Sequence, residues 1–348
     1  MATYEKKSWE SINLPPVSGD TTFRILDHIS TDPENEVNGV IYDGRIISGF
    51  GIQNLNEIIS QYCNPSTIDF STNGLQPNDS STATFYIYYT QDAWSTFTND
   101  IVIIQYDWSY ENYSKSILSD PISNILDYRQ FFVYTLKTGT PDVQANVQVN
   151  LEQTLIDSFQ IGGYTYYNYL LDLQSLTYPA EFTYAYSYDY FVDKVAPEPN
   201  TYNTLTIGVS KYLVTNTCYK YCIYYLNKYG GWDSLLFRGR EIQTDNLERL
   251  SYKKNYVAQS MDFHKVDYLT TINEKWSLNT SFLDDTQSEK MINLMASNRM
   301  FIHNLETGKI LPANITNSIC EHKNCKNQGR KMATYNIEVE ASQPKYRI

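Results

Sequence analysis

Histidine is scarce in this chain: His28, His264, His303 and His322 are the whole supply among 348 residues. A nucleophile that depends on a neighbouring base therefore has few partners to choose from. Cys63 or Cys222 acting with one of the four histidines would need the fold to bring them together. Cysteine is sparse too, and its count of five is odd, which argues against a disulfide framework. Basic residues are in deficit, with 27 Lys and Arg against 39 Asp and Glu, for a formal net charge of −12. An acidic surface repels phosphates, so a protein that reads nucleic-acid bases or backbone is not expected. A wall that DNA slides past without sticking remains compatible with that charge. No apolar run reaches the length of a transmembrane helix, and the opening "MATYEKKSWESINLPP" has no apolar core of a secretion signal; the expectation is no membrane insertion and a start in a reducing cytoplasm. Gly-rich phosphate loops, HExxH, GxSxG and the dinucleotide fingerprint are all missing. No cofactor and no catalytic residue are expected.

What the chain has instead is aromatic: 32 Tyr, 14 Phe and 5 Trp. Tyrosine suits half-buried pleated surfaces, because it carries apolar area with a polar tip. The predicted fold is mainly β, with two β-sandwich or barrel-like domains, one or two short helices and an extended N-terminal arm. Residues 1–20, with Pro15 and Pro16 adjacent, read as that arm. Asp43-Gly44 between apolar runs predicts a two-residue hairpin turn. "NLNEIISQYC" predicts a short helix near 54–63, and 64–82 reads as a polar connection. Short β-branched or aromatic runs then follow one another: "ATFYIYY", "DIVIIQYDW", "RQFFVYTL", "VQANVQVNL" and "FTYAYSYDY". The proline-bearing stretch 192–203 predicts a boundary, which divides the chain into 1–63, 64–196 and 197–348. Beyond it lie "TLTIGVSKYLVT", "YCIYYLN", "SLLFRGREI", "YLTTI" and "KWSLNTSF". A helix is predicted at about 286–297, capped by Thr286 and Glu289, with Met291, Ile292, Leu294 and Met295 as its buried stripe. "RMFIHN", a turn at Thr307-Gly308, "ILPANITNSI" and a last strand "ATYNIEVEAS" complete the order. In that last strand Tyr335, Ile337 and Val339 alternate with polar residues.

Three sets of residues are candidates for function. Cys218 and Cys222, joined by Cys320, His322 or Cys325, supply enough soft ligands for a tetrahedral zinc, although neither cysteine pair has CxxC spacing. On a straight strand, residues four apart lie about 13 Å from each other, so the chain would have to turn between Cys218 and Cys222. Phe182, Tyr184, Tyr186, Tyr188 and Tyr190 share one face of a predicted strand and read as core, as a subunit interface or as a sugar platform. Asp107 and Glu111 could form the carboxylate pair of a glycosidase beside stacking aromatics, or could be ordinary solvated carboxylates at a strand end.

The stretch "CYKYCIYYLNKYGGWDSLLFRGREIQTDN" resembles a segment of virion proteins from tailed phages that infect Bacteroidetes, crAss-like gut phages included. There, a strand ending in a "YYLNRYGGWDSL"-like sequence leads into a second strand. The order of elements after residue 275 is similar to that of distal-tail and tail-hub proteins. The resemblance implies a non-catalytic structural tail protein that forms a homo-oligomeric ring around the DNA channel and holds other tail proteins, such as a portal-side ring, a fibre or a hub. DNA would pass through without being bound specifically, and the subunit would join the virion tail after assembly in the host cytoplasm. A receptor- or carbohydrate-binding module of a tail or fibre is the alternative. Within the stretch, Gly230, Gly231 and Trp232 read as structural: a glycine turn whose backbone angles other residues resist, followed by a tryptophan that anchors the next strand.

Overall fold

The structure, a computed structural model, describes residues 3–7, 21–46, 62–63, 65–78, 82–90, 98–109, 117–137, 145–161, 166–179, 203–216, 219–255, 265–280, 282–317 and 333–347. The protein is mainly β, with several sheets and one α-helix among these residues.

The first sheet runs, in spatial order, β1 (Thr3–Lys7), β6 (Thr98–Gln105), β5 (Thr82–Thr90), β2 (Thr21–Leu26) and β3 (Val40–Ile46). Phe23, Ile25, Phe85, Ile87 and Val102 form its core together with Cys63. Two expectations are corrected here. The opening residues are not wholly a free arm, because β1 pairs in parallel with β6 of its own chain; residues 8–20 lie outside the described residues. Asp43-Gly44 is not a hairpin turn either: both residues sit inside β3, and Gly44 lies directly across from Phe23. A Cβ on Gly44 would strike the Phe23 ring, so this glycine makes room for an aromatic neighbour rather than a turn. The chain reverses instead through the connection that closes with Asp27 N–H donating to the Gly39 carbonyl at 3.1 Å.

The next two sheets lie face to face. One holds β4 (Gly74–Pro77), β11 (Tyr166–Asp172) and β8 (Phe131–Lys137); the other holds β10 (Thr154–Ile161), β9 (Ala145–Leu151), β12 (Asn203–Ile207), β13 (Ser210–Thr215) and β7 (Ile125–Asp127). Phe132, Tyr134 and Tyr169 from the first meet Val149, Leu205 and Val214 from the second. Strand β4 falls inside the stretch expected to be only a connection, where it pairs with β11. The expected boundary at 192–203 lies outside the described residues except for Asn203, and sheet membership crosses it, because β12 pairs with β9.

The fourth sheet is the largest: β15 (Trp232–Phe237), β14 (Tyr221–Leu226), β18 (Met300–Asn304), β19 (Lys309–Ile315), β20 (Asn336–Ala341), β17 (Lys265–Asn279) and β16 (Glu241–Lys253), with β21 (Lys345–Arg347) also on β17. The expected strand "YLTTI" and the first five residues of "KWSLNTSF" are parts of the single strand β17, which ends at Asn279. One face carries helix α1 (Asp285–Met295) over Ile223, Tyr225, Trp276, Ile337 and Val339. The helix starts two residues earlier than expected at its cap: Asp284 accepts from Gln287 N–H at 2.8 Å, and the Gln287 side chain accepts from Asp284 N–H at 3.0 Å. This reciprocal pair, with Asp285 at the positive end of the helix, replaces the expected Thr286–Glu289 cap. Met291 and Leu294 are buried as expected, whereas Ile292 is exposed.

The other face of the large sheet, through Cys222, Tyr224, Trp232 and Leu236, meets Val133 and Leu170 of the three-stranded sheet. Strands β8 and β11 are thus covered on both sides, which is why their central residues are almost continuously buried rather than alternating. Each fully buried Leu, Val or Phe in such a layer contributes about 1.5–3 kcal/mol.

Candidate functional site: a projecting hairpin on a buried anchor

Strand β14 is buried at all six positions. Ile223 and Tyr225 face the helix side, and Cys222, Tyr224 and Leu226 face the three-stranded sheet. The turn that follows is closed by Asn227, whose side chain uses its full hydrogen-bonding capacity. Its Oδ1 accepts from Tyr229 N–H at 2.9 Å and Gly231 N–H at 3.0 Å. Its Nδ2 donates to the Leu118 carbonyl at 2.7 Å and to Asp233 Oδ2 at 2.6 Å. Gly230 adopts φ +83°, the left-handed region that glycine enters without penalty. Gly231 is needed for a different reason: a Cβ there would collide with the Leu118 backbone, 2.6 Å from its carbonyl carbon. Trp232 is fully buried; its Nε1–H donates to the Ser66 carbonyl at 3.1 Å, and its backbone N–H to Thr135 Oγ1 at 2.9 Å. The turn therefore ties chain segments near residues 66, 118 and 135 to the large sheet.

Beneath it, Asp233 accepts from the Asp120 N–H at 3.0 Å as well as from Asn227. Burial pushes its carboxyl up to about 7, against those hydrogen bonds, which favour the charged form. Asp120 in turn is ion-paired with Lys290 of α1 at 2.9 Å.

The candidates for chemistry fare as follows. Cys222 is fully enclosed, and burial pushes its thiol up. Cys218, Cys320, His322 and Cys325 lie outside the described residues; among the described residues, no group of three or more His, Cys, Asp or Glu is placed to hold a metal ion. Strand register sets Cys222 opposite His303. Burial lowers the His303 imidazole to about 4, and the Tyr224 hydroxyl lies 3.1 Å from its Nδ1. Thiol and imidazole are both neutral at pH 7, so the pair holds no thiolate there. Burial likewise raises Cys63 to about 12. Asp107 is buried and accepts from Ser109 N–H at 2.9 Å, a local turn contact; Glu111 lies outside the described residues. The aromatic row Phe182, Tyr184, Tyr186, Tyr188 and Tyr190 also lies outside them. A concave site of about 450 Å³ is lined by Arg129, Phe131, Gln174 and His303 among others, and Arg129 there is committed to Asp127 at 2.8 Å and to the Tyr219 carbonyl at 2.7 Å.

The most conspicuous surface was not read from the sequence. Strands β16 and β17 form an antiparallel hairpin of 13 and 15 residues, about 45 Å long at roughly 3.4 Å per residue. At its base, Trp276 and Leu278 enter the core, and Glu274 is ion-paired with Lys345 of β21 at 2.5 Å. Along β17, strand β20 pairs with Lys275–Asn279 and β21 with Thr270–Ile272. Among the described residues, the hairpin beyond those positions is a two-stranded ribbon. Leu247, Leu250, Tyr252 and Tyr268 are each about half exposed along it, and the Tyr252 and Tyr268 rings lie 6.2 Å apart. A register shift next to Leu250 twists the ribbon there. Lys253 sits directly opposite Lys265, a like-charge pair that weakens the free hairpin.

Comparison with protein-family models, curated proteins and solved structures finds no match to the chain. No helix among the described residues is long and apolar enough to cross a membrane.

Proposed function

We propose that this chain is a non-enzymatic structural component of a phage virion tail, a hub, ring or baseplate subunit that oligomerises around the DNA channel and connects neighbouring tail proteins. The observation that carries the reading is the hairpin. A long ribbon that exposes Leu247, Leu250, Tyr252 and Tyr268 is unfavourable for a free monomer, and it suits a protein whose ribbon is covered in an assembly. The buried turn at Asn227–Trp232 supports the same role, since it braces the sheet that carries the ribbon against the neighbouring layers. The virion context is supported by the likeness of the Cys218–Asn246 stretch to phage tail proteins. A net charge of −12 suits the lining of a channel that must not trap DNA phosphates.

The test is the mass of purified protein across a concentration series, by light scattering with negative-stain imaging of the same fractions. A closed ring is expected. A monomer at every concentration overturns the self-assembling reading.

One observation favours a second reading, a receptor- or carbohydrate-binding module: Tyr252 and Tyr268 stand as an exposed ring pair, and such rings stack on the apolar faces of sugars. Binding of host-surface glycans that is lost in Tyr252→Ala, without any change in assembly, would establish it in place of the first.

A further inference from the structure

We propose that the distal end of the β16–β17 hairpin docks, head to tail, onto the Asp27–Asn38 connection of a second copy of this chain. The inference rests on the assembly reading above and names the two surfaces that would make the contact.

The two surfaces complement one another in charge and in apolar content. Outward from Arg249, the described part of the hairpin holds Arg249, Lys253, Lys254 and Lys265 against a single carboxylate, Asp267. This is a cationic end on a chain whose net charge is −12. The Asp27–Asn38 connection carries Asp27, Asp32, Glu34 and Glu36 with no lysine or arginine. Each surface also presents apolar side chains to solvent: Leu250, Tyr252 and Tyr268 on the hairpin, and Ile29 (64 % exposed) and Val37 (85 % exposed) on the connection. An apolar centre within a rim of opposite charges is the usual anatomy of a specific interface. The like-charge pair Lys253–Lys265, unfavourable in the free ribbon, becomes favourable against carboxylates.

The connection is also held in shape before any partner arrives. Arg24 Nη1 donates to the Pro33 carbonyl at 2.7 Å and to the Glu34 carbonyl at 2.8 Å, and its Nε–H donates to Asp43 at 2.5 Å. Ser30 N–H donates to the Tyr88 hydroxyl at 2.8 Å, fixing the other side of the loop to β5. A preformed surface loses less conformational entropy on binding than a floppy one. Because hairpin and connection are different patches of one chain, the contact is heterologous, and its repetition closes into a ring or runs on as a filament.

The experiment is a charge swap read by light scattering and sedimentation. One variant reverses the hairpin (Lys253→Glu, Lys254→Glu, Lys265→Glu), another the connection (Asp32→Lys, Glu34→Lys), and a third carries both sets. All five positions are exposed, and far-UV circular dichroism checks that each variant folds. Either single-surface variant should need about a hundredfold more protein to assemble, because like charges then face each other across the contact. The combined variant should assemble again, and so should an equimolar mixture of the two single-surface variants, because opposite charges meet at every contact when the two alternate. A wild type that assembles while the variants assemble equally well overturns this inference and leaves the ring reading standing. The inference is overturned in the same way if the folded combined variant remains as defective as its parents. A wild type that never self-associates overturns both.

Discussion

Replacing Gly231 with alanine tests whether the Asn227–Trp232 turn is held by space or by backbone angle. The added methyl would fall on the Leu118 backbone, 2.6 Å from the carbonyl carbon. Backbone on both sides leaves no side chain to swing away, so one segment must move. Segment 118 is fixed by Leu118 N–H donating to the Thr135 carbonyl at 3.0 Å and by Asn227 Nδ2 donating to the Leu118 carbonyl at 2.7 Å. The turn is fixed by Gly231 N–H to Asn227 Oδ1 and Trp232 N–H to Thr135 Oγ1. Overpacking of this kind costs about 1–3 kcal/mol, and weakening two buried hydrogen bonds adds about 1 kcal/mol each. The expected loss is therefore about 3–5 kcal/mol, a large part of a domain's stability. Gly308→Ala is the control, because Gly308 has φ +68° but nothing within 4 Å of an added Cβ; only the backbone angle is unfavourable there, by about 1–2 kcal/mol. Urea midpoints for the two variants and the parent decide the matter. If Gly231→Ala unfolds at the same urea concentration as Gly308→Ala, the close approach to Leu118 is not what the glycine is for.

Asp233 and His303 should pull stability in opposite directions with pH. Asp233 titrates at about 7 folded against an ordinary 3.8, so its contribution is fully present below pH 4 and is lost as pH rises through 7, by about 4 kcal/mol. His303 titrates at about 4 folded against 6.5, so the unfolded chain takes up the proton first and stability is lost as pH falls from 6.5 to 4, by about 3 kcal/mol. The two effects offset in the parent; Asp233→Asn should expose the acid loss and His303→Asn the loss towards neutrality, and urea midpoints from pH 4 to 8 that run parallel in all three proteins would refute both assignments. Trp232→Phe removes the hydrogen bond to the Ser66 carbonyl and leaves a small cavity, and should cost about 2 kcal/mol by the same assay; no change would mean that neither this hydrogen bond nor the indole's packing stabilises the turn. Hydrogen exchange should be fast at 249–253 and 265–269 in the dissolved monomer and slow at 275–279, where β20 completes the sheet; uniform protection along β17 would contradict a ribbon that has no third strand among the described residues.

The parts of this fold that could be read from sequence are those whose burial differs between two faces. Tyr335, Ile337 and Val339 are buried while Asn336 and Glu338 are exposed, and that alternation is visible in "YNIEVEAS". Strand β14 could be read as well, because its aromatic run is bounded by a turn rich in glycine. Strand β11 went unread because both its faces are covered, leaving no alternation in "YYNYLLD". Strand β4 went unread because Gly74 and Pro77 are turn residues by habit, and only its pairing with β11 makes it a strand. Asp43-Gly44 misled for the converse reason: the pair has turn chemistry, but the space beside Phe23 decides its place. The helix cap shifted to Asp284 because two frames, Asp284–Gln287 and Thr286–Glu289, both fit a capping pattern and only contacts choose between them.

Strand β16 is the instructive omission, since it carries the proposed function. "QTDNLERLSYKKN" has neither strict alternation nor an apolar run, and Leu247 and Leu250 are spaced three apart, on opposite faces of the strand. It is a strand only because β17 offers it an edge along thirteen residues. A two-stranded ribbon is marginal in water without a third strand or a packed face. This one receives support at its base from β20 and β21 and from the core contacts of Trp276 and Leu278. Its far end has an exposed row of apolar side chains, a like-charge pair and no further strand among the described residues. Each of these features destabilises an isolated chain; the apolar pair Leu250 and Tyr252 and the like-charge pair Lys253–Lys265 alternate to opposite faces of the ribbon, so both are relieved when the ribbon's end is embedded in an acidic and partly apolar surface. The opposite-charge pair described there, Arg249 with Asp267 at 3.9 Å, is long and solvent-exposed, and such pairs add little stability, so the far end of the hairpin is the part of the proposed interface with least to hold it in an isolated chain.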